Sequence, residues 1–393
     1  MIFFKKLNIK SQNIPLLMWY EIIGGLLFFL PIIALYLEKS LFTVTNIAIV
    51  FAVEAIAISI FEVPSGAIAD LFGRKKSFIA ANILVLFAIT FLFIGGNMMN
   101  FLIFAILNAL GRSLVSGTES AMIYDSLKEE NKEEHFKKVI GTMYALWPIG
   151  ASLGSIVGGH LAKHSLSLPV LYSLIPIAIC LIITFFLKEP EYHKEEHKNV
   201  LIHMKNSFKI IINNHQLIVL IIGGLFLLGI GESYHRLNSL YFVFKDIPIV
   251  YFGYISAIIF GLSSIGHYSA NAVSEKYGNK RILIIATVAT PILLLISTFT
   301  NHVVSIIFYV MVSLFFGLRR PVLEHLLNKE IGSSKRATVI SINNFFGFIG
   351  MGFFSIILGF LSDKFNINNG FRISAMVLLI VPILFFGLKK DEK

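Results

Sequence analysis

The chain has 393 residues, 56% of them hydrophobic and only 14% charged, and its mean hydropathy is +0.79. This composition excludes an ordinary soluble globular protein and indicates a membrane protein that crosses the bilayer several times. The formal net charge of +10 does not indicate nucleic-acid binding, because the basic residues lie in short loops and not in a patch interleaved with aromatic residues.

Twelve apolar runs are long enough to cross a bilayer as helices, which takes about 20 residues each. In order they cover residues 15–37, 42–64, 77–96, 100–124, 139–162, 167–187, 216–242, 249–271, 281–300, 302–326, 337–361 and 371–388. The first run is too long for the core of a signal peptide, so we expect it to be a retained helix. Because the runs lack the alternation of barrel strands, the predicted fold class is an all-α membrane protein with twelve transmembrane helices.

A short charged turn, residues 66–76, separates predicted helices 2 and 3. Of the 33 Lys and Arg residues, 24 fall in segments on the same side as this turn, five on the other side and four within helices. Since short cytoplasmic loops carry an excess of basic residues, we expect the turn and both termini to face the cytoplasm in the cell membrane.

Residues 188–215 form the longest hydrophilic stretch. They predict a cytoplasmic linker between two six-helix bundles, residues 1–187 and 216–393. Within the linker, residues 200–211 place apolar side chains at helical spacing opposite basic ones, which predicts a helix on the membrane surface.

The two halves resemble each other in sequence. Shifting residues 139–162 by 200 positions matches eight residues of 339–362, and the charged turn has a partial copy at 271–281, in which Gly278 corresponds to Gly73. Parallel repetition of six-helix halves is a transporter architecture with the substrate site between the halves.

The turn itself has the pattern Gly66-x-x-x-Asp70-x-x-Gly73-Arg74-Lys75. This pattern resembles the signature loop between helices 2 and 3 of the major facilitator superfamily, and the resemblance covers the whole chain. It implies two pseudo-symmetric six-helix bundles that rock about a central cavity. It also implies that Asp70, oriented by Arg74 and allowed close approach by the glycines, binds the N-terminus of helix 11 while the cytoplasmic side is closed.

Predicted helix 5 resembles the glycine motif of the drug-proton antiporters in this superfamily, except that Ser155 stands where proline is usual. Its glycines are Gly141, Gly150, Gly154, Gly158 and Gly159. The resemblance favours export over uptake. Small residues at this spacing also let membrane helices pack closely whatever the cargo.

Ionisable residues inside the predicted helices are the candidates for proton coupling and for the substrate cavity, because such groups are rare in membranes and usually functional. They are Glu21, Glu54, Arg112, Glu119, Glu232, His235 and Arg236. Glu21 either takes part in coupling or pairs with an arginine of a neighbouring helix. Arg112, followed by Gly117, partly resembles an antiporter motif, and it needs an acid partner or a watery cavity.

We expect Glu54 and Glu119 to reach Arg112, since Glu119 follows it by seven residues on the same helical face. Glu232 and Arg236 have the spacing of an internal ion pair, and His235 becomes a titrating candidate if that pair does not form.

The sequence therefore predicts a monomeric secondary transporter in the bilayer that exports small amphipathic or cationic compounds in exchange for protons. Uptake of a small nutrient by proton symport and export of a lipid or siderophore are the alternatives. A non-transporting receptor would be expected to lose the buried charges. Because no nucleotide-binding loop, metal-ligand cluster or nucleophile with a base is legible, we expect no metal, no cofactor and no enzymatic activity.

Overall fold

The structure, a computed structural model, describes residues 9–190, 211–331 and 336–389, and these ranges are almost entirely helical with no β-strand. Twelve helical spans are long and apolar enough to cross a membrane, which confirms the predicted fold class. The predicted surface helix at 200–211 falls almost wholly outside the described residues.

The spans are labelled in chain order. They are α1a (Asn13–Gly25) with α1b (Ile33–Leu41), α2 (Val44–Phe72), α3 (Arg74–Ile94), α4 (Met98–Lys128), α5 (Phe136–His164), α6 (Ser167–Phe186), α7 (His215–Phe244), α8 (Val250–Tyr277), α9 (Asn279–Phe299), α10 (His302–Lys329), α11 (Arg336–Phe365) and α12a (Ile367–Leu378) with α12b (Val381–Phe386).

The first span is not the continuous helix that the hydropathy of residues 15–37 predicts. It is interrupted between α1a and α1b by a bend and a short 3₁₀ turn, Leu30–Ile32. Gly24 and Gly25 are weak helix formers, and Pro31 has no N–H to donate, so neither piece continues through the bend. The Phe28 amide freed by the bend donates to Ser173 Oγ at 2.9 Å.

The last span also differs from its predicted limits of 371–388. It begins earlier, where Asn366 caps the helix by accepting from Asn369 N, and it is interrupted after Leu378. Because the first turn of α12a carries asparagines, an apolar window does not detect it. Pro382 lies in the first turn of α12b, where its missing N–H leaves no helical bond unmade.

Helices α1–α6 pack into one bundle and α7–α12 into a second, and the bundles meet along α2 with α11 and α5 with α8. The charged turn and its copy have the same backbone shape. Gly73 has φ of 102° between α2 and α3, and Gly278 has φ of 88° between α8 and α9. Since a side chain strains this conformation, glycine is retained at both turns.

A lysine after each of these glycines repeats a second contact. Lys75 Nζ donates to Phe185 O at 2.7 Å, at the end of α6, and Lys280 Nζ donates to Phe386 O at 2.8 Å, at the end of α12b. A cation there compensates the partial negative charge of the free carbonyls. The predicted repeat thus extends to the way each turn holds the sixth helix of its own bundle.

Each bundle is also closed by an amide side chain on its first helix. Asn13 donates to Lys188 O at 2.9 Å and accepts from Lys188 N at 2.8 Å. Gln216 in the same way donates to Gly387 O at 3.3 Å and accepts from Lys389 N at 2.8 Å. The start of the first helix is therefore tied to the chain that leaves the sixth helix in both bundles.

A further contact ties the segment ahead of α1a to the loop after α4. Glu130 accepts from Lys10 N at 3.0 and 2.9 Å, and from Lys132 Nζ at 3.1 Å. Burial acts to raise the pKa of Glu130, but the hydrogen bonds from Lys10, Lys132 and Ser11 outweigh it, so that this pKa lies below its usual value.

The bundles are joined at the end that carries the turn between α1 and α2, which the charge distribution predicts to be external and which we call the outer end. There Leu35 N donates to Ser239 Oγ at 3.2 Å, and His160 Nε2 lies 3.0 Å from the Tyr254 hydroxyl. The structure is therefore closed at the outer end.

Candidate functional site

Three glycines of α5 hold the bend of the first span. A methyl group built on Gly150 would overlap Ile22 O, one built on Gly158 would overlap Phe28 O, and Gly154 faces the backbone between them. No side chain fits at these positions, so α5 packs backbone to backbone against α1a and the bend.

The other two glycines of the motif have different surroundings. A methyl group on Gly159 would stand 3.0 Å from Gly253 N of α8, in the second bundle, whereas one on Gly141 would meet nothing within 4 Å. Close packing therefore accounts for four of the five glycines without reference to cargo or direction of transport.

Glu54 of α2 is the centre of an ion cluster that joins the bundles. Its carboxylate, only 3% exposed, accepts from Arg236 Nη1 of α7 and from Asn108 Nδ2 of α4 at 2.7 Å. Arg112 Nη1 of α4 lies 3.5 Å from the same carboxylate. The Arg236 guanidinium also lies 5.2 Å from the centre of the Phe51 ring. The buried charge of Glu54 is thus compensated by one arginine from each bundle.

The predicted ion pair within α7 is wrong for this state. Arg236 bonds to Glu54, and Glu232 has no ion pair within 4.0 Å among the described residues. Spacing along one helix predicts which side chains share a face. It cannot predict that the docking of the two bundles places the carboxylate of Glu54, on α2, against Arg236.

Glu119 also has a different partner from the one predicted. The carboxyl groups of Glu21 and Glu119 lie within hydrogen-bonding reach of each other, and Glu119 forms no ion pair with Arg112. Side chains seven residues apart are separated by about 10 Å along the helix axis. Arg112 therefore contacts Glu54 of α2, whereas Glu119 contacts Glu21 of α1a.

Glu21 and Glu119 form what we call the carboxyl pair, and they are 8% and 7% exposed. Since two ionised carboxylates have no proton to donate, a hydrogen bond between them requires a shared proton. Tyr144 of α5, which is 60% exposed, neighbours both groups. The pair is thus buried in the first bundle beside an accessible aromatic side chain.

A cavity of about 140 Å³ lies inside the second bundle, and we call it the α7–α10 cavity. Its polar lining consists of Glu232, Tyr234, His235, Ser263, Thr290, Tyr309, Ser313 and Arg319. Its aromatic wall includes Phe260, whose ring centre lies 5.9 Å from that of Trp147 on α5, so the cavity adjoins the bundle interface. Glu232 and His235 therefore line a cavity, whereas Arg236 belongs to the ion cluster.

The charged turn is held by contacts that the sequence did not predict. Glu189 accepts from Arg74 N at 2.6 Å and from Lys75 N at 2.9 Å, which caps α3. Arg74 Nη2 lies 3.4 Å from Asp125 Oδ2. The side chain of Asp70 and the segment before α11 lie outside the described residues, so their predicted contact stays a prediction.

The same two helices form a capping contact at the outer end. Asp363, in the last turn of α11, accepts from Val44 N at 2.8 Å and Thr45 N at 2.9 Å at the start of α2. The contact predicted for Asp70 runs from the end of α2 to the start of α11. Here the acid is at the end of α11 and the amides are at the start of α2. Its sequence signal is an acid in the last turn of a helix, which is unfavourable unless the N-terminus of another helix compensates it.

Comparisons with known proteins agree with this fold. The family model described as Major Facilitator Superfamily matches residues 22–269 and 224–393. YxaM of Bacillus subtilis (strain 168), an uncharacterized MFS-type transporter, is 25% identical over 377 residues, covering 91% of this chain and 90% of that protein.

Two solved structures are similar in fold alone. A variant of the nucleoside transporter NupG has a TM-score of 0.81 at 15% identity, covering 94% of this chain and 99% of that one. A D-xylose-proton symporter has a TM-score of 0.78 at 14% identity, covering 95% and 97%.

Proposed function

The chain belongs to the major facilitator superfamily, and from this premise we propose that it is a proton-coupled exporter of small amphipathic or cationic compounds. As a member of that family it is a multi-pass membrane transporter and not an enzyme. The proposal adds the coupling ion, the direction, a monomeric state, and a place in the cell membrane with both termini cytoplasmic.

The carboxyl pair is the observation that carries the coupling. Both groups are buried, and in the proposed mechanism they share one proton in this state, because two neighbouring buried carboxylates cannot both stay ionised without a cation. When the first bundle moves and water or a cationic group of the cargo reaches the pair, the two carboxylates separate or gain a positive partner, and the proton leaves. Cargo and proton then compete for one site, which is the requirement for antiport.

The ion cluster supports alternating access between two states. Opening the outer end separates Glu54 from Arg236, but Glu54 keeps Arg112 of its own bundle as a partner. Arg236 then has Glu232 one turn away on its own helix. In this proposal the ion pair between Glu232 and Arg236 forms only in the outward-open state. The charges of Glu54 and Arg236 are then compensated in both states.

The direction of transport rests on the resemblance of α5 to the antiporter glycine motif. Symport is the competing proposal, because the same carboxyl pair serves a cargo that binds together with the proton. The D-xylose-proton symporter of similar fold gives this alternative a structural parallel.

Proteoliposomes with an internal pH dye and ethidium as the probe test both points. We expect an inward proton gradient to drive ethidium movement against the proton flux, and ethidium to release protons from the purified protein. Glu21→Gln and Glu119→Gln should abolish both effects. Glu38→Gln, on α1b of the same span, is the matched control.

Gradient-driven movement that survives both substitutions would remove the carboxyl pair from the mechanism. Cargo and protons moving in the same direction would establish symport instead of export.

A further inference from the structure

Arg319 is the buried cation of the α7–α10 cavity. It is 4% exposed, its Nη2 donates to Leu227 O at 2.7 Å, and its guanidinium lies 4.7 Å from the centre of the Phe316 ring. Its Nη1 has no hydrogen-bond partner, and no carboxylate of the described residues lies within 4.0 Å of it. The side chain is therefore held in place but is not satisfied.

The three other arginines that the sequence places inside membrane-spanning runs, away from the helix ends, each contact a carboxylate. Arg112 and Arg236 contact Glu54, and Arg320 contacts Glu324 at 3.3 Å. An arginine in the membrane stays charged, and a buried donor without an acceptor costs about 1–3 kcal/mol, more when it is charged. One carbonyl and one aromatic ring do not compensate that charge, so Arg319 has an open requirement for an anion.

The same cavity contains an acid that is also without an ion partner. Glu232 lines it together with Arg319 and forms no ion pair within 4.0 Å among the described residues. The hydroxyls of Ser263 and Ser313 lie in the lining between aromatic walls. The cavity thus presents one positive and one negative group that are near each other but not paired.

We propose that the α7–α10 cavity binds a small zwitterion of the α-amino acid type, with its carboxylate on Arg319 and its ammonium on Glu232. This assignment rests on the proposed transport function and adds a ligand site in the second bundle, apart from the carboxyl pair at which the proton and a cationic cargo compete. The cavity volume of about 140 Å³ suits a molecule of amino-acid size. It lies below the roughly 300 Å³ at which pockets for drug-sized ligands begin.

Singly charged molecules fit the lining less well. An organic anion would satisfy Arg319 but bring its charge beside Glu232, and a simple cation would leave Arg319 without an anion. A zwitterion satisfies both groups without changing the net charge of the cavity, and its carboxylate can accept two parallel hydrogen bonds from the guanidinium.

A binding assay that needs no gradient tests the assignment. Purified full-length protein in detergent is melted with glycine, alanine, leucine and phenylalanine, and with the decarboxylated amine and the deaminated acid of each. We expect at least one amino acid to raise the melting temperature while both of its singly charged analogues do not, because ligand bound to the folded state stabilises it.

Arg319→Gln and Glu232→Gln should each weaken that amino acid's binding at least tenfold. Arg320→Gln, which changes the neighbouring exposed arginine, should leave it intact. Arg319→Lys keeps the charge but loses the two parallel N–H donors of the guanidinium, so it should recover part of the binding. The ligand-free melting temperature of each variant reports whether it folds.

The assignment is overturned if no amino acid of the series stabilises the protein, if a singly charged analogue does so equally, or if the Arg319 and Glu232 variants bind normally. If the amino acid binds but Glu21→Gln transports ethidium as the parent does, the proposed coupling fails and the amino-acid site stands.

Discussion

Replacing Asp363 with alanine tests whether a capping contact holds the outer end closed. The carboxylate bonds to two amides at the start of α2, Val44 N and Thr45 N, and to the Thr45 hydroxyl. Loss of a capping acceptor removes about 0.5–2 kcal/mol, and loss of an acid at a helix N-terminus about 0.3–1 kcal/mol. Because the side chain is exposed to solvent, we expect about 1–2 kcal/mol in total.

The contact stabilises only the closed state, because Asp363 and α2 are in different bundles and separate when the outer end opens. The ratio of open to closed molecules should therefore rise about 5- to 30-fold, at 1.4 kcal/mol for each factor of ten. Electron-spin distance measurement between labels on Met99→Cys and Val303→Cys, both exposed near the outer end, reports this ratio in a Cys180→Ser background.

We expect the variant to gain a population with a longer distance between the labels. Lys364→Ala changes the next residue, which contacts the Phe365 ring of its own helix, and should leave the distances unchanged. A distance distribution that is the same in Asp363→Ala as in the parent would refute the capping contact as a gate, as would an equal effect of the control.

Three further predictions concern the ion cluster, the glycine motif of α5 and the loop after α4. Glu54→Gln should lower the melting temperature by several degrees, because breaking a buried ion pair costs about 3–5 kcal/mol; unchanged melting would contradict the cluster. Gly158→Val should abolish a monodisperse folded peak in size-exclusion chromatography, whereas Gly141→Val, with open space around it, should retain one. The ionised Glu130 stabilises the folded state fully at pH values above its unfolded pKa of about 4.3. This stabilisation is lost as the pH falls through the lower pKa that Glu130 has in the folded state. Glu130→Gln should therefore weaken the parent's acid dependence of melting.

The helix count, the repeat and the repeated turn could be predicted because each depends on local signals. Hydropathy runs report burial in lipid whatever the tertiary contacts, and Gly73 and Gly278 report a backbone shape that glycine adopts most readily. The interruption of the first span also has local causes in Gly25 and Pro31. A hydropathy window misses it because every residue of the bend is apolar.

The partners of the site residues could not be predicted in the same way. The bond from Arg236 to Glu54 depends on how two bundles dock, and the pairing of Glu21 with Glu119 depends on which helix α4 faces at each turn. Arg319 and Arg320 are neighbours in sequence, yet one lines a cavity and the other is exposed, because consecutive residues point about 100° apart around a helix.

The contact between Gly159 and Gly253 has a consequence for electrical insulation of the membrane. Main chain meets main chain there, so no side chain and no file of water molecules separates α5 from α8 at this point, and the hydrogen bond between His160 and Tyr254 lies directly beside it. We expect this seam to limit the passage of water, and with it proton leak, across the closed outer end, which the proposed coupling needs if a gradient is to do work.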